Sequence, residues 1–190
     1  RVIENHTREI RKDFSFDSME KPSSENYPKY FANYIALVEG SDILKQWEVE
    51  ASHTVKLIRA LSDEQWNHGY DKGKWTVRQV ILHMMDVECV FAYRALCIAR
   101  GQTENLPSFD HDSFAESSLK DLRTREEIAE DYFLMRIHHL RLFGSFAKAD
   151  LERIGKVSLN PMMVRAIPFI QLGHERHHKL VLKEKYNLVD

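Results

Sequence analysis

The sequence predicts an all-α fold, and three observations carry that prediction. Glycine and proline are sparse, seven and five in 190 residues. The tight hairpin dipeptides Asn-Gly and Asp-Gly are absent. Long stretches instead repeat apolar residues at helical spacing between recognisable caps. A chain of this length makes about one domain and buries a core without disulfides or metal staples. Residues 1–22 read as a polar N-terminal extension and residues 23–190 as a single helical domain, with Met19 a candidate native start.

The elements follow in chain order. A short helix is predicted from Tyr27 or Pro28 to about Val38, ended by Gly40. Ser41 then caps a longer helix to Leu61, whose Leu44, Trp47, Val55, Leu57 and Ile58 keep helical spacing. Ser62 opens a brief turn over residues 63–65, before a loop from His68 to Lys74. Thr76 with Gln79 is a capping box, and helix runs from it to Arg100, where Gly101 stops it. That helix is apolar round most of its circumference, which suits the centre of a bundle. After a loop from Gln102 to His111, Thr124 with Glu127 caps a helix to about Phe143. Asn160-Pro161 reads as a cap and first helical position of a last helix reaching about Tyr186. Pro168 inside it predicts a kink or a late start.

Composition excludes several function classes. Lys and Arg number 27 against 29 Asp and Glu, a net charge of -2, which argues against a nucleic-acid partner. No run approaches the length of a membrane span, and the first residues are too polar for a signal peptide. Cys89 and Cys97 fall on one helix, roughly 12 Å apart by helical rise, too far for a disulfide. Reduced thiols point to a cytoplasmic protein. The unusual count is ten histidines.

Three of them stand in apolar patterns. His174 and His178 are four residues apart, so they share one face of the last helix with Ile167, Ile170 and Val181. His83 lies in the run Val80-Ile81-Leu82-His83-Met84-Met85 and shares a face with Val80, Val87, Val90 and Arg94. A pair one turn apart, aimed into a bundle, is the geometry that chelates a transition metal, and His83 supplies a third nitrogen. Three neutral ligands leave positions open for water or substrate, the pattern of a catalytic site. Zinc or nickel suits three imidazoles. The bland alternative is a set of core histidines hydrogen-bonded to carbonyls or water.

His174-Glu175-x-x-His178 is also the zincin motif, with Glu175 as general base. Its usual extensions fail: Val181 and Glu184 stand where a metzincin needs glycine and histidine, and twelve residues follow His178. Glu175 is a candidate base, a support for a ligand, or a surface residue. Arg94 is a candidate substrate-binding group, able to hold an anion or a buried carboxylate. Asp86 reads as a salt-bridge partner and His177 as a supporting or structural residue. His138 and His139 have no evident partner, and His6, His53, His68 and His111 read as solvent or loop residues.

The segments Lys74-Trp75-Thr76-Val77-Arg78-Gln79-Val80-Ile81-Leu82-His83 and Gly173-His174-Glu175-Arg176-His177-His178 resemble the DinB/YfiT-like superfamily. The stretches from Tyr27 to Ile35 and from Phe91 to Leu96 are similar to it too, so the resemblance covers nearly all the chain after about residue 20. It implies an up-down-down-up four-helix bundle holding a divalent metal on His83, His174 and His178. It also implies a homodimer and a small-molecule substrate. The activities it implies are thiol-dependent S-transfer or isomerisation with a low-molecular-weight thiol, or hydrolysis. The expected function is therefore a metal-dependent enzyme activating thiol or water. The alternatives are a non-catalytic helical module stabilised by metal and an HExxH zinc peptidase.

Overall fold

In the computed structural model, which describes residues 18–188, the bundle is built from four long helices. A 3-10 turn over Lys29–Phe31 leads into α1, Ala32–Ala36. The first long helix, α2, spans Ile43–Ala60, and α3 is the short turn Asp63–Trp66. The second long helix, α4, spans Val77–Ala99. A two-residue strand β1, Asn105–Leu106, precedes α5, His111–Ser117. The third long helix, α6, spans Arg125–Gly144 and is followed by α7, Lys148–Leu151. Strands β2, Ile154–Val157, and β3, Asn160–Met163, form a hairpin before the last long helix, α8, Ala166–Tyr186. Helix α2 packs chiefly on α6 and also on α8, while α8 packs on α1 and α4. Among the described residues no helix is long and apolar enough to cross a membrane.

The caps sit where local chemistry puts them. Thr76, Thr124 and Ser62 each accept from the backbone N–H three residues on, and Gln79, Glu127 and Gln65 reach back to the capping residue's N–H. Gly101 ends α4 with φ of +97°, a conformation that glycine adopts without steric cost.

Three expectations need correction. The stretch Asn160-Pro161 is strand, not the start of a helix, and it pairs antiparallel with β2, Lys156 opposite Pro161. Pro161 is tolerated because β3 is an edge strand, where a missing N–H leaves no ladder bond unmade. The hairpin turn is Ser158-Leu159, both at positive φ (49° and 66°), without the glycine or asparagine that normally marks such a turn. Neighbouring groups hold it: the Ser158 N–H donates to the Leu106 carbonyl, and the Leu159 N–H donates to the Asn105 side chain. Helix α8 starts late, one of the two outcomes Pro168 predicts, and Pro168 falls at its third position, where the absent N–H has no intrahelical partner to lose. The cap of α2 is Asp42 in place of Ser41. Finally, the polar extension is not all outside the domain. Met19 and Pro22 are buried, and the Met19 N–H donates to the Ser41 carbonyl. Residues 1–17, with His6, lie outside the described residues.

The apolar core is divided. One cluster gathers Trp47, Val87, Phe91, Ile98, Phe143 and Phe169; the other gathers Ile58, Val80, Ile81, Ile128, Tyr132 and Leu182. Polar side chains are buried where the two meet. The Arg136 guanidinium donates to both oxygens of Glu88 (3.0 and 2.8 Å), to Glu175 Oε2 (2.8 Å) and to the Trp47 carbonyl (2.6 Å). Glu175 Oε1 accepts from the hydroxyls of Thr54 and Tyr132. His139 Nδ1 lies 2.9 Å from Glu88 Oε1, so this histidine has the partner its sequence context did not reveal. Burial pushes the Glu88 carboxyl up, but the Arg136 charge and the hydrogen bonds from His139 and Arg136 outweigh it and hold it below the ordinary 4.5.

Two outcomes follow from this layer. Arg136→Met leaves two buried carboxylates uncompensated and should cost about 3–5 kcal/mol in urea denaturation. For Glu88, a folded pKa below the unfolded value means that the unfolded state binds the proton first on acidification. Its stabilisation is complete above the ordinary 4.5 and is lost as pH falls through the lowered value. Denaturation midpoints of Glu88→Gln should therefore fall less steeply below that pH than those of wild type, and an equal or steeper fall contradicts the assignment.

Candidate metal centre

His83 projects from the second turn of α4, and His174 and His178 from successive turns of α8. Their alignment depends on a close approach elsewhere. A Cβ at Gly173 would stand 2.0 Å from the Tyr34 carbonyl oxygen, so only glycine lets α1 lie against α8 here. That contact brings the Tyr34 ring edge-on to His174, centroids 5.3 Å apart. Trp75, just before α4, covers His83 at 4.9 Å.

The three imidazoles converge through Nε2. His174 Nε2 lies 3.2 Å from His83 Nε2 and 3.0 Å from His178 Nε2. One nitrogen of each ring falls within 4.8 Å of the other two. A ring nitrogen carries either one proton or one lone pair, so His174 Nε2 cannot make two good hydrogen bonds at once. Nδ1 of His83 is buried without a hydrogen-bond partner. Protonation is no remedy. Burial and the neighbouring imidazoles push His178 down to about 3 and His174 well below its ordinary value. Burial, then His111, pushes His83 down to about 4. Three neutral imidazoles with crowded, convergent nitrogens are a donor set for a cation. Metal–nitrogen bonds of about 2.0–2.1 Å, with ligands ~90–110° apart, place the nitrogens roughly 2.9–3.4 Å from one another. The observed spacings fit.

Beside the cluster opens a cleft of about 520 Å³. The three histidines form part of its wall, and Phe31, Phe91, Phe109 and Arg94 line more of it. Arg94 is 5% exposed; it donates to the Pro107 carbonyl and stacks over Phe91, 4.9 Å from the ring centroid. His111, which the sequence assigns to loop or solvent, stands at the exposed rim with its ring 5.5 Å from that of His83. Only its Asp110 cap is legible locally. His177 contacts the Tyr34 ring and lies outside the convergent set. Asp86 is also outside the set and faces Arg123 and Asp121.

Glu175 is placed apart from the cleft. Its carboxylate is 2% exposed and accepts from Thr54, Tyr132 and Arg136 within the polar layer. A zincin base needs a carboxylate facing the metal and its water. Here consecutive residues point about 100° apart, so His174 faces the cleft while Glu175 faces the bundle interior. The signal that could have found this role is the pattern of Glu88, Tyr132 and Arg136 on core-facing stripes of two other helices.

Fold and site together define a class: a helical bundle whose largely buried three-histidine cluster opens into a cleft. Residues 46–182 match the family model of the DinB superfamily, and the chain belongs to that superfamily. It is 28% identical over 149 residues to a protein of Geobacillus thermodenitrificans, covering 71% of this chain and 79% of that protein. A protein of Oceanobacillus iheyensis is 26% identical over 72 residues, 38% of this chain and 42% of its own length. Both relatives carry the provisional name of metal-dependent hydrolase. Among solved structures, YfiT from Bacillus subtilis, described as having an unusual four-helix bundle topology, superposes with a TM-score of 0.65. That likeness covers 90% of this chain and 91% of YfiT at 15% identity.

The placement of Glu175 is testable. Glu175→Gln should leave bound metal unchanged in elemental analysis and lower unfolding stability by about 1–3 kcal/mol, the cost of an impaired buried hydrogen-bond network.

Proposed function

We propose that this chain is a metal-dependent hydrolase acting on a small molecule. The observation that carries the proposal is the convergence of three neutral imidazole nitrogens at the wall of an open cleft. His83, His174 and His178 are the residues that would hold the ion, with zinc or nickel as the ions best suited to imidazole. A divalent ion held by these residues would supply Lewis-acid chemistry, activating a water and polarising a substrate oxygen.

The chain's own residues prepare that chemistry. Burial keeps the three rings unprotonated near neutral pH, so their lone pairs face the ligand without competition from protons. Tyr34 and Trp75 pack against the rings and fix their orientation. Phe31, Phe91 and Phe109 present apolar wall, which excludes water and strengthens electrostatic interactions inside the cleft. The cleft separates this reading from a purely structural metal, which closes its coordination with protein ligands. The names carried by the two relatives support hydrolysis. The thiol-dependent transferase implied by the sequence resemblance shares the centre and differs in its nucleophile.

Elemental analysis of purified protein should show bound zinc or nickel in wild type and its loss in His83→Ala and His178→Ala. A panel of small esters and amides should be turned over by the metal-loaded protein and not after chelation. Turnover that requires an added thiol selects the transferase instead, and equal metal in wild type and His83→Ala removes the centre.

A further inference from the structure

We propose that Arg94 is an anion-binding subsite of the cleft and that the ligand it takes is a small organic monocarboxylate with an apolar body. The inference deepens the proposed function by naming the substrate class, and it rests on that reading only for the ligand's other end.

A buried guanidinium normally has a carboxylate beside it, because an unpaired charge out of water is costly. The other deeply buried arginine, Arg136, follows that rule with two. Arg94 does not. Among the described residues it makes no ion pair, and its one hydrogen bond goes to the Pro107 carbonyl. Burial pushes its pKa down, and Tyr30 is the neighbour that counters this. The carboxylate on the cleft wall, Asp112, is exposed at the rim on α5. Arginine has five donors in a planar fork that matches a carboxylate. One is used here, and the face of the fork is braced by Phe91 and Phe109.

The rest of the wall selects among anions. No lysine or second arginine lines the cleft among the described residues, so the single positive charge at the Arg94 end matches a monoanion better than a doubly charged phosphate. Aromatic rings dominate the space between Arg94 and the histidines, which suits an apolar body. Arg94 follows His83 by about 16 Å of helical rise and ~20° of rotation, so the two share a face of α4. Helical side chains lean toward the N-terminus, which brings the guanidinium back over Phe91 toward the histidines. A ligand reaching both groups is a carboxylate joined to its reacting group through an apolar linker.

The test is calorimetric titration of the full chain with a homologous series of phenylalkyl carboxylates and the matching primary amides, in zinc-loaded and chelator-stripped protein. Wild type should prefer the carboxylate by about tenfold or more, the effect of a charge-assisted hydrogen bond. The preference should survive stripping, vanish in Arg94→Gln with amide affinity unchanged, and persist in part in Arg94→Lys. The comparison within wild type needs no variant, so misfolding of Arg94→Gln does not protect the proposal. Equal binding of acid and amide overturns it, as does failure of both series to bind. A preference that survives Arg94→Gln but disappears on stripping assigns the carboxylate to the metal and also overturns it. If wild type holds no metal by elemental analysis yet shows the Arg94-dependent preference, the subsite stands and the metal-enzyme reading falls.

Discussion

Arg136 shares one guanidinium between Glu88 and Glu175, and the placement of the histidines depends on that sharing. Charges taken out of water must be paired with good geometry, so the three helices that carry them have little freedom to slide or rotate. Glu175 is adjacent to His174 on α8, and Glu88 is five residues after His83 on α4. Fixing each carboxylate on Arg136 therefore fixes which face of each helix turns toward the cleft. The Trp47 carbonyl and Thr54 tie α2 into the same layer. Four helices are keyed at one level by hydrogen bonds that apolar packing alone does not specify.

A second constraint is steric. The contact of Gly173 with Tyr34 leaves no room for a side chain, and it lays α1 across the turn that carries His174. This enclosure lowers the proton affinity of the imidazoles, so the packing that orders the rings also keeps them in the form that ligates. Structural economy and metal chemistry coincide there. They separate at the cleft, where aromatic wall and a carboxylate-free arginine bring no evident gain to the folded chain by themselves.

The legible parts of the sequence were the local ones. Capping boxes at Thr76 and Thr124 are written within four residues, and each forms as the spacing predicts. The apolar circumference of α4 and the shared face of His174 and His178 are properties of a single helix, so periodicity reveals them. The β-hairpin escaped because its Ser158-Leu159 turn uses neither glycine nor asparagine at positive φ, and its support comes from Asn105 and Leu106, far away in the chain. Pro161 looked like a helix start because an edge strand and a first helical turn tolerate the same missing N–H.

The sequence by itself determined that the chain is helical, where most long helices begin, and that three histidines lie on apolar faces. Those features follow from interactions between residues a few positions apart. Only the tertiary structure decided that Glu175 serves the polar layer, that His139 meets Glu88, that His111 stands over the cleft, and that Arg94 is buried without a carboxylate. Each of these depends on which helix faces which and at what level. That is set by long-range packing and the pairing of buried charges, which no local pattern encodes.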